Sequence, residues 1–308
     1  KIEWRVWSDT APGYLRMASY NWYRSGRWSY NYRLADGHEK IDDAYLSRTP
    51  LKLMSEIGGV TYFHSEDRES VRSNRPEDHL KIRGTVKHTQ PTTVVPTVAE
   101  TYGILNMLGN DVYAEASPMG VIRLVDREML IDYTLLANKD HKPLDGRAKP
   151  EVDLEIPEQD IGLIEELASH LKLSEINDEW ERVAVIQHYF KTEFEYATQF
   201  DNGGYDEKKS KLAWFLNDLK KGHCEYFATA TTLLLRHSGV PARYCVGYVS
   251  QERNGDCWNV RGTNAHAWTR AYIGGRWHDV DTTPADWRGV TSHEPLDPVE
   301  WVRERISL

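Results

Sequence analysis

Positive charge is scarce in this sequence: 38 Lys and Arg stand against 47 Asp and Glu, a formal net charge of -9. Nucleic-acid and anionic-membrane surfaces need clustered cations, so neither kind of partner is expected. No apolar run reaches the roughly 18 residues of a membrane-crossing helix, and no basic start followed by an apolar segment opens the chain as a signal peptide would. The chain as given is therefore expected to be soluble. It begins with Lys1 rather than Met, which reads as an excised piece of a longer protein. Cysteine is scarce too: Cys224, Cys245 and Cys257 are the three, and none forms a C-x-x-C pair. A zinc ribbon and a thioredoxin motif are thereby excluded, and no metal or cofactor is indicated. An odd count leaves at least one thiol unpaired, and Cys245 and Cys257 are expected to be core packing residues. Internal repeats and low-complexity tracts are absent.

What remains has a globular composition, 40% hydrophobic, 11% aromatic and 28% charged, over 308 residues. That length suits two domains. From Lys1 to about Ile156 the text is rich in Tyr, Trp, Val and Thr. Alternation such as Val121, Arg123, Val125 against Ile122, Leu124, and of Ile131, Tyr133, Leu135, favours strands. Pro143, Pro150 and Pro157 mark a linker. The expectation is a β-rich N-terminal domain over 1–156 and a second domain over 157–308.

In the second domain Ile161, Ile164, Leu167, Ala168 and Leu171 fall at helical spacing, and Trp180, Val183, Ala184, Gln187 and Phe190 do so again. Leu212 to Leu219 reads as a short helix. Cys224 opens another, with Phe227, Ala230, Thr231, Leu234 and Leu235 as its apolar stripe and Gly239-Val240-Pro241 as its stop. Four strand-like runs follow: Ala242 to Ser250, Cys257 to Gly262, Ala265 to Ile273 and Arg276 to Asp281, with Asn254-Gly255 and Gly274-Gly275 as turn pairs. The fold class is α+β, helices packed on an antiparallel sheet.

A thiol attacks a carbonyl as thiolate, and a free Cys, with a pKa near about 8.5, is mostly protonated at neutral pH. The first turn of a helix favours negative charge, so Cys224 is the candidate nucleophile. His266, flanked by Ala265 and Ala267 on a strand, is the candidate base. If Gly274 and Gly275 are the central pair of their hairpin, His266 faces Thr283, and Asp281 is its diagonal neighbour on the same face, placed to orient the imidazole.

The order helix-Cys, strand-His, strand-Asp resembles the transglutaminase-like superfamily. Its successive blocks are matched by Gly222-His223-Cys224-Glu225-Tyr226-Phe227-Ala228, Gly239-Val240-Pro241-Ala242-Arg243, Val246-Gly247-Tyr248, Asn264-Ala265-His266-Ala267-Trp268 and the run from Trp277 to Pro284. The resemblance covers about Ile161 to Trp287. It implies a papain-like core with a Cys224-His266-Asp281 triad, and a transglutaminase, cysteine peptidase or amidase acting through a thioester. Protein or peptide would be the substrate, with water or an amine as acceptor. Thr282 departs from the family's usual Pro after the Asp. Farther upstream, Tyr14-Leu15-Arg16, Tyr20, Tyr23, Gly26 and Trp28 are similar to the extracytoplasmic region of bacterial membrane proteins that carry such a domain between transmembrane helices. That likeness implies an extracytoplasmic domain of a membrane-anchored parent.

His223 is expected to point away from the thiol as a packing residue. Trp268 and Trp277 are candidates for an acyl-donor groove, against the commoner role of core aromatics. Tyr196 and Gln199 are candidate oxyanion donors beside the backbone N–H of Cys224. A catalytically inactive binding or scaffolding module is the alternative function, and it predicts a Cys224 no more reactive than the other two thiols.

Overall fold

A computed structural model describes residues 2–33, 39–42, 49–50, 52–57, 60–64, 79–85, 93–105, 113–125, 130–140, 143–199 and 209–284. The last residues of the family-like stretch, 285–287, lie outside the described residues.

Four helical segments form where the sequence spacing suggested them, although Ile161 and Trp180, expected in the apolar stripes, are exposed. Glu158–His170 buries Ile164, Leu167 and Ala168. Glu179–Glu193 is capped by the Asp178 side chain, which accepts from the N–H of Glu181 (2.8 Å) and so satisfies a first-turn donor. A short helical stretch, Lys211–Ala213, continues as one turn of wider helix over Trp214–Leu219. Cys224–His237, the cysteine helix, is buried along most of its length and ends at Gly239 with φ +84°.

These helices cover one face of a four-stranded antiparallel sheet, ordered Gly13–Tyr20, Ala242–Ser250, Ala265–Ile273, Arg276–Val280. The turn at Gly274 (φ +58°) and Gly275 (φ +84°) needs positive φ twice, which is why two glycines stand there. Pairings run from Ile273↔Arg276 to Thr269↔Val280, so the two glycines are the central pair, as the sequence suggested. The other turn is shifted by one residue from expectation. Asn254 pairs with Cys257, so Gly255-Asp256 is its central pair, with Gly255 at φ +63°.

Both large sheets take strands from either side of the expected boundary near 156. The first strand of the four-stranded sheet, Gly13–Tyr20, comes from the N-terminal half. Conversely Cys257–Arg261, expected to extend that sheet, pairs with Ile2–Trp7 in an eight-stranded sheet built mostly from the N-terminal half. The exchange explains the composition of Ala242–Ser250, which is buried at all nine positions. Along one side of that strand Ala242 packs in the helical core and Tyr248 in a second core with Trp4, Leu15, Ile82 and Tyr133, while the other side buries Arg243 against Asp153 and Cys245 beside Ser19. A strand buried on both faces cannot alternate.

The expected linker is pinned rather than free. Leu144 N–H donates to the Thr101 carbonyl (2.8 Å) and Gly146 accepts from Trp277 Nε1 (2.8 Å). Asp145 bridges Arg16 (2.8 Å) and Arg270 (2.6 Å), and all three side chains are at most 5% exposed. Asp153 forms a second buried pair with Arg243 (2.9 Å). Cys245 and Cys257 are both buried.

Candidate active site

Cys224 is the first residue of its helix, with His223 as the capping residue in extended conformation. Here the backbone donors have no intrahelical acceptor, and the helix dipole favours a thiolate. The helix is held to the sheet by small groups. Thr269 Oγ1 donates to the Ala228 carbonyl (3.0 Å), and Ala228 packs with Ala267 around the cysteine. Cys224 is 7% exposed and His266 not at all, so charge between them is poorly screened by water.

His266 Nε2 lies 2.8 Å from Asp281 Oδ2. Strand β-pairing supplies this: the register that sets Thr269 against Val280 projects His266 onto Thr283, and Asp281 falls diagonally beside the imidazole. The other carboxylate oxygen, Oδ1, accepts from Thr283 N–H at 3.0 Å. Thr282 then ties the loop to the cysteine helix through a 2.6 Å contact between its hydroxyl and that of Thr231. Where the family usually has a stiff proline, this chain has a buried hydrogen bond across to the helix.

The protonation states follow from this packing. Burial alone would raise the Cys224 thiol, but hydrogen bonds and charge from His223 and His266 outweigh it and bring it down to about 7. Burial alone would lower His266, but Asp281 and Cys224 outweigh it and raise the imidazole to about 10. Asp281 is lowered, because the imidazole and the Thr283 donors overcome its burial. Both shifts favour a thiolate beside an imidazolium. Cys245 has no such neighbours in sufficient strength: burial pushes its thiol up to about 11, with Arg16 and Arg270 offsetting only part.

Several residues stand differently from expectation. His223 does not turn away; its imidazole, like that of His266, is near enough to the thiol to lower it, and its ring sits 4.9 Å from Tyr226. Trp268 and Trp277 do not line a groove. They are 1% and 4% exposed. Trp268 Nε1 donates to Asp279 (2.8 Å), and Arg243 lies 4.0 Å over the Trp277 ring, so both are consumed by packing. Tyr196 pairs through its backbone with Gly222, two residues before the thiol. Gln199 is exposed beyond it.

Sequence reasoning missed one participant. Tyr14, in the edge strand from the N-terminal half, donates its phenol to Asp281 Oδ2 at 2.8 Å. Its ring lies 5.0 Å from Trp268 and 6.3 Å from His266. The Tyr14-Leu15-Arg16 motif marked this segment, but nothing in it indicates that the phenol reaches a carboxylate 267 residues away.

Residues 166–282 match the family model of the transglutaminase-like superfamily. The periplasmic domain of TgpA from Pseudomonas aeruginosa, bound to ethylmercury, superposes with a TM-score of 0.59 at 18% identity, over 94% of this chain and 92% of that one. Among curated proteins, the uncharacterized YebA of Bacillus subtilis is 40% identical over 65 residues, which is 19% of this chain and 9% of YebA. The uncharacterized ML0607 of Mycobacterium leprae is 36% identical over 88 residues, 29% of this chain and 26% of that protein. The chain thus matches only a minor part of either curated relative.

Proposed function

From the transglutaminase-like core over residues 166–282, we propose that the protein is a thiol-dependent acyl transferase acting on a glutamine carboxamide or a peptide carbonyl. One observation carries the reading: a thiol at a helix start, depressed to about 7, interacts with an imidazole whose other side is 2.8 Å from a carboxylate. Cys224 sulfur adds to the carbonyl carbon, and the imidazolium of His266 gives its proton to the departing nitrogen, releasing ammonia or an amine and leaving a thioester. Water or an amine then attacks with His266 as base, the sulfur leaves as thiolate, and the imidazolium returns. Asp281 keeps the imidazole in one tautomer and stabilises its cation. The oxyanion meets the backbone N–H of Cys224, with Tyr196 and Gln199 as proposed side-chain donors. We place the domain outside the cytoplasm, attached to a membrane-anchored parent, a location supported by its likeness to a periplasmic domain.

Ammonia release from glutamine peptides, incorporation of a fluorescent primary amine and cleavage of the same peptides, each compared with Cys224→Ser, test the reading. Signal in any channel that the variant abolishes supports acyl transfer. Silence in all three, with Cys224 labelled no faster than Cys245, would instead identify a binding or scaffolding module.

A further inference from the structure

We propose that Tyr14 is a positioning residue of this site, holding the Asp281 carboxylate so that the carboxylate can hold His266. The proposal rests on the acyl-transfer reading and assigns part of its machinery to the N-terminal half of the chain.

Asp281 follows the last strand of its sheet, where the hairpin alone fixes little beyond Val280. Its Oδ2 receives two donors at 2.8 Å each, His266 Nε2 and the Tyr14 phenol, and its Oδ1 receives the Thr283 N–H. A carboxylate with donors on both oxygens has few orientations left. Tyr14 lies on one edge strand and Asp281 just beyond the other, so their hydrogen bond joins opposite edges of the four-stranded sheet.

The chain invests in placing this phenol. Gly13 turns in at φ +66° immediately before it. Gly247, opposite His266 on one side and Arg16 on the other, lets the Tyr14 strand approach so closely that a Cβ there would lie 2.1 Å from the Leu15 carbonyl oxygen. The Tyr14 ring packs at 5.0 Å on Trp268, which is itself within 10° of parallel to the His266 ring. Yet Tyr14 is not enclosed as a core aromatic. It lines a groove of about 810 Å³ with Trp7, Pro12, Leu80 and Asp279, so filling the interior does not explain its hydroxyl.

The test is Tyr14→Phe, Asp281→Asn and the double variant in the full chain. The readouts are steady-state acyl transfer and the pH dependence of Cys224 alkylation by iodoacetamide, which needs no substrate. Tyr14→Phe is expected to lower kcat ten- to a hundredfold with KM within twofold, and to move the acid limb of the alkylation profile to higher pH by at least half a unit, because a loosened carboxylate supports the imidazolium, and with it the neighbouring thiolate, less. In the Asp281→Asn background the same change should cost less than threefold. Unchanged kcat and profile in Tyr14→Phe, or equal losses with and without Asp281, would overturn the positioning role while leaving acyl transfer standing. If instead Cys224→Ser and Asp281→Asn leave turnover intact, the acyl-transfer reading fails first. Should the Phe variant not fold, a ring-fluorinated tyrosine at Tyr14 keeps the shape and strengthens the donor; the limb should then move the opposite way, and an unmoved limb would overturn the proposal.

Discussion

At pH 6 a thiol-alkylating reagent applied to the native protein should modify Cys224 about a hundred times faster than Cys245. With thiols at about 7 and about 11, the thiolate fractions differ by about four orders of magnitude. Nucleophilicity opposes this, because a less basic sulfur attacks more slowly with a Brønsted slope of roughly 0.4–0.5, and four pKa units return nearly two orders of magnitude. The net preference is ~10², before the greater enclosure of Cys245 adds to it. Peptide mapping after short exposures to limiting iodoacetamide between pH 5 and pH 10 measures both rates. The Cys224 rate should rise about tenfold per unit at the acid end and flatten above about 7. His266→Ala should shift that flattening to higher pH while leaving part of the effect, since His223 also lowers the thiol. Equal labelling of the two cysteines, or a Cys224 rate that climbs steadily to pH 9, would refute the reasoning.

Two further outcomes concern the scaffold. Gly247→Ala drives a Cβ to 2.1 Å from the Leu15 carbonyl oxygen, and because that obstacle is backbone the strand must shift; a loss of about 1–3 kcal/mol in denaturant unfolding, with the acid limb of Cys224 alkylation displaced as in Tyr14→Phe, is expected. Asp145→Asn leaves Arg16 buried without its carboxylate and Arg270 with Asp279 alone (3.2 Å), and should cost ~3–5 kcal/mol at neutral pH. Burial alone would raise the Asp145 carboxyl, but the two guanidinium groups hold it well below the usual range. A depressed pKa contributes stability above the unfolded value near about 3.9 and loses it as pH falls further. The gap between wild type and variant, followed by urea unfolding, should therefore narrow below about pH 4; a gap that stays constant from pH 7 to pH 3 would show that Asp145 is not acting as a charged partner.

Much of the site's local geometry was legible in the text. Helical spacing and a Gly/Pro stop place Cys224 in a first turn, and a Gly-Gly pair with its two-residue loop fixes the register that brings His266 and Asp281 onto one face. Both rest on interactions within a few residues, whose periods and turn requirements leave marks in the sequence. The roles of Trp268 and Trp277 were not legible, because an aromatic on a strand carries no sign of which side faces solvent until its neighbours are known.

Sequence alone therefore determined the candidate site residues, their helix and strand settings and the antiparallel pairing of the last hairpin. Only tertiary structure decided that Gly13–Tyr20 joins that sheet while Cys257–Arg261 leaves it, that Tyr14 meets Asp281, that His223 meets the thiol, and that Asp145 locks the connecting segment. The physical reason is that edge-strand pairing uses the same backbone hydrogen bonds for every candidate strand. The choice among them falls to packing and charge between groups far apart in the chain, which no local pattern records.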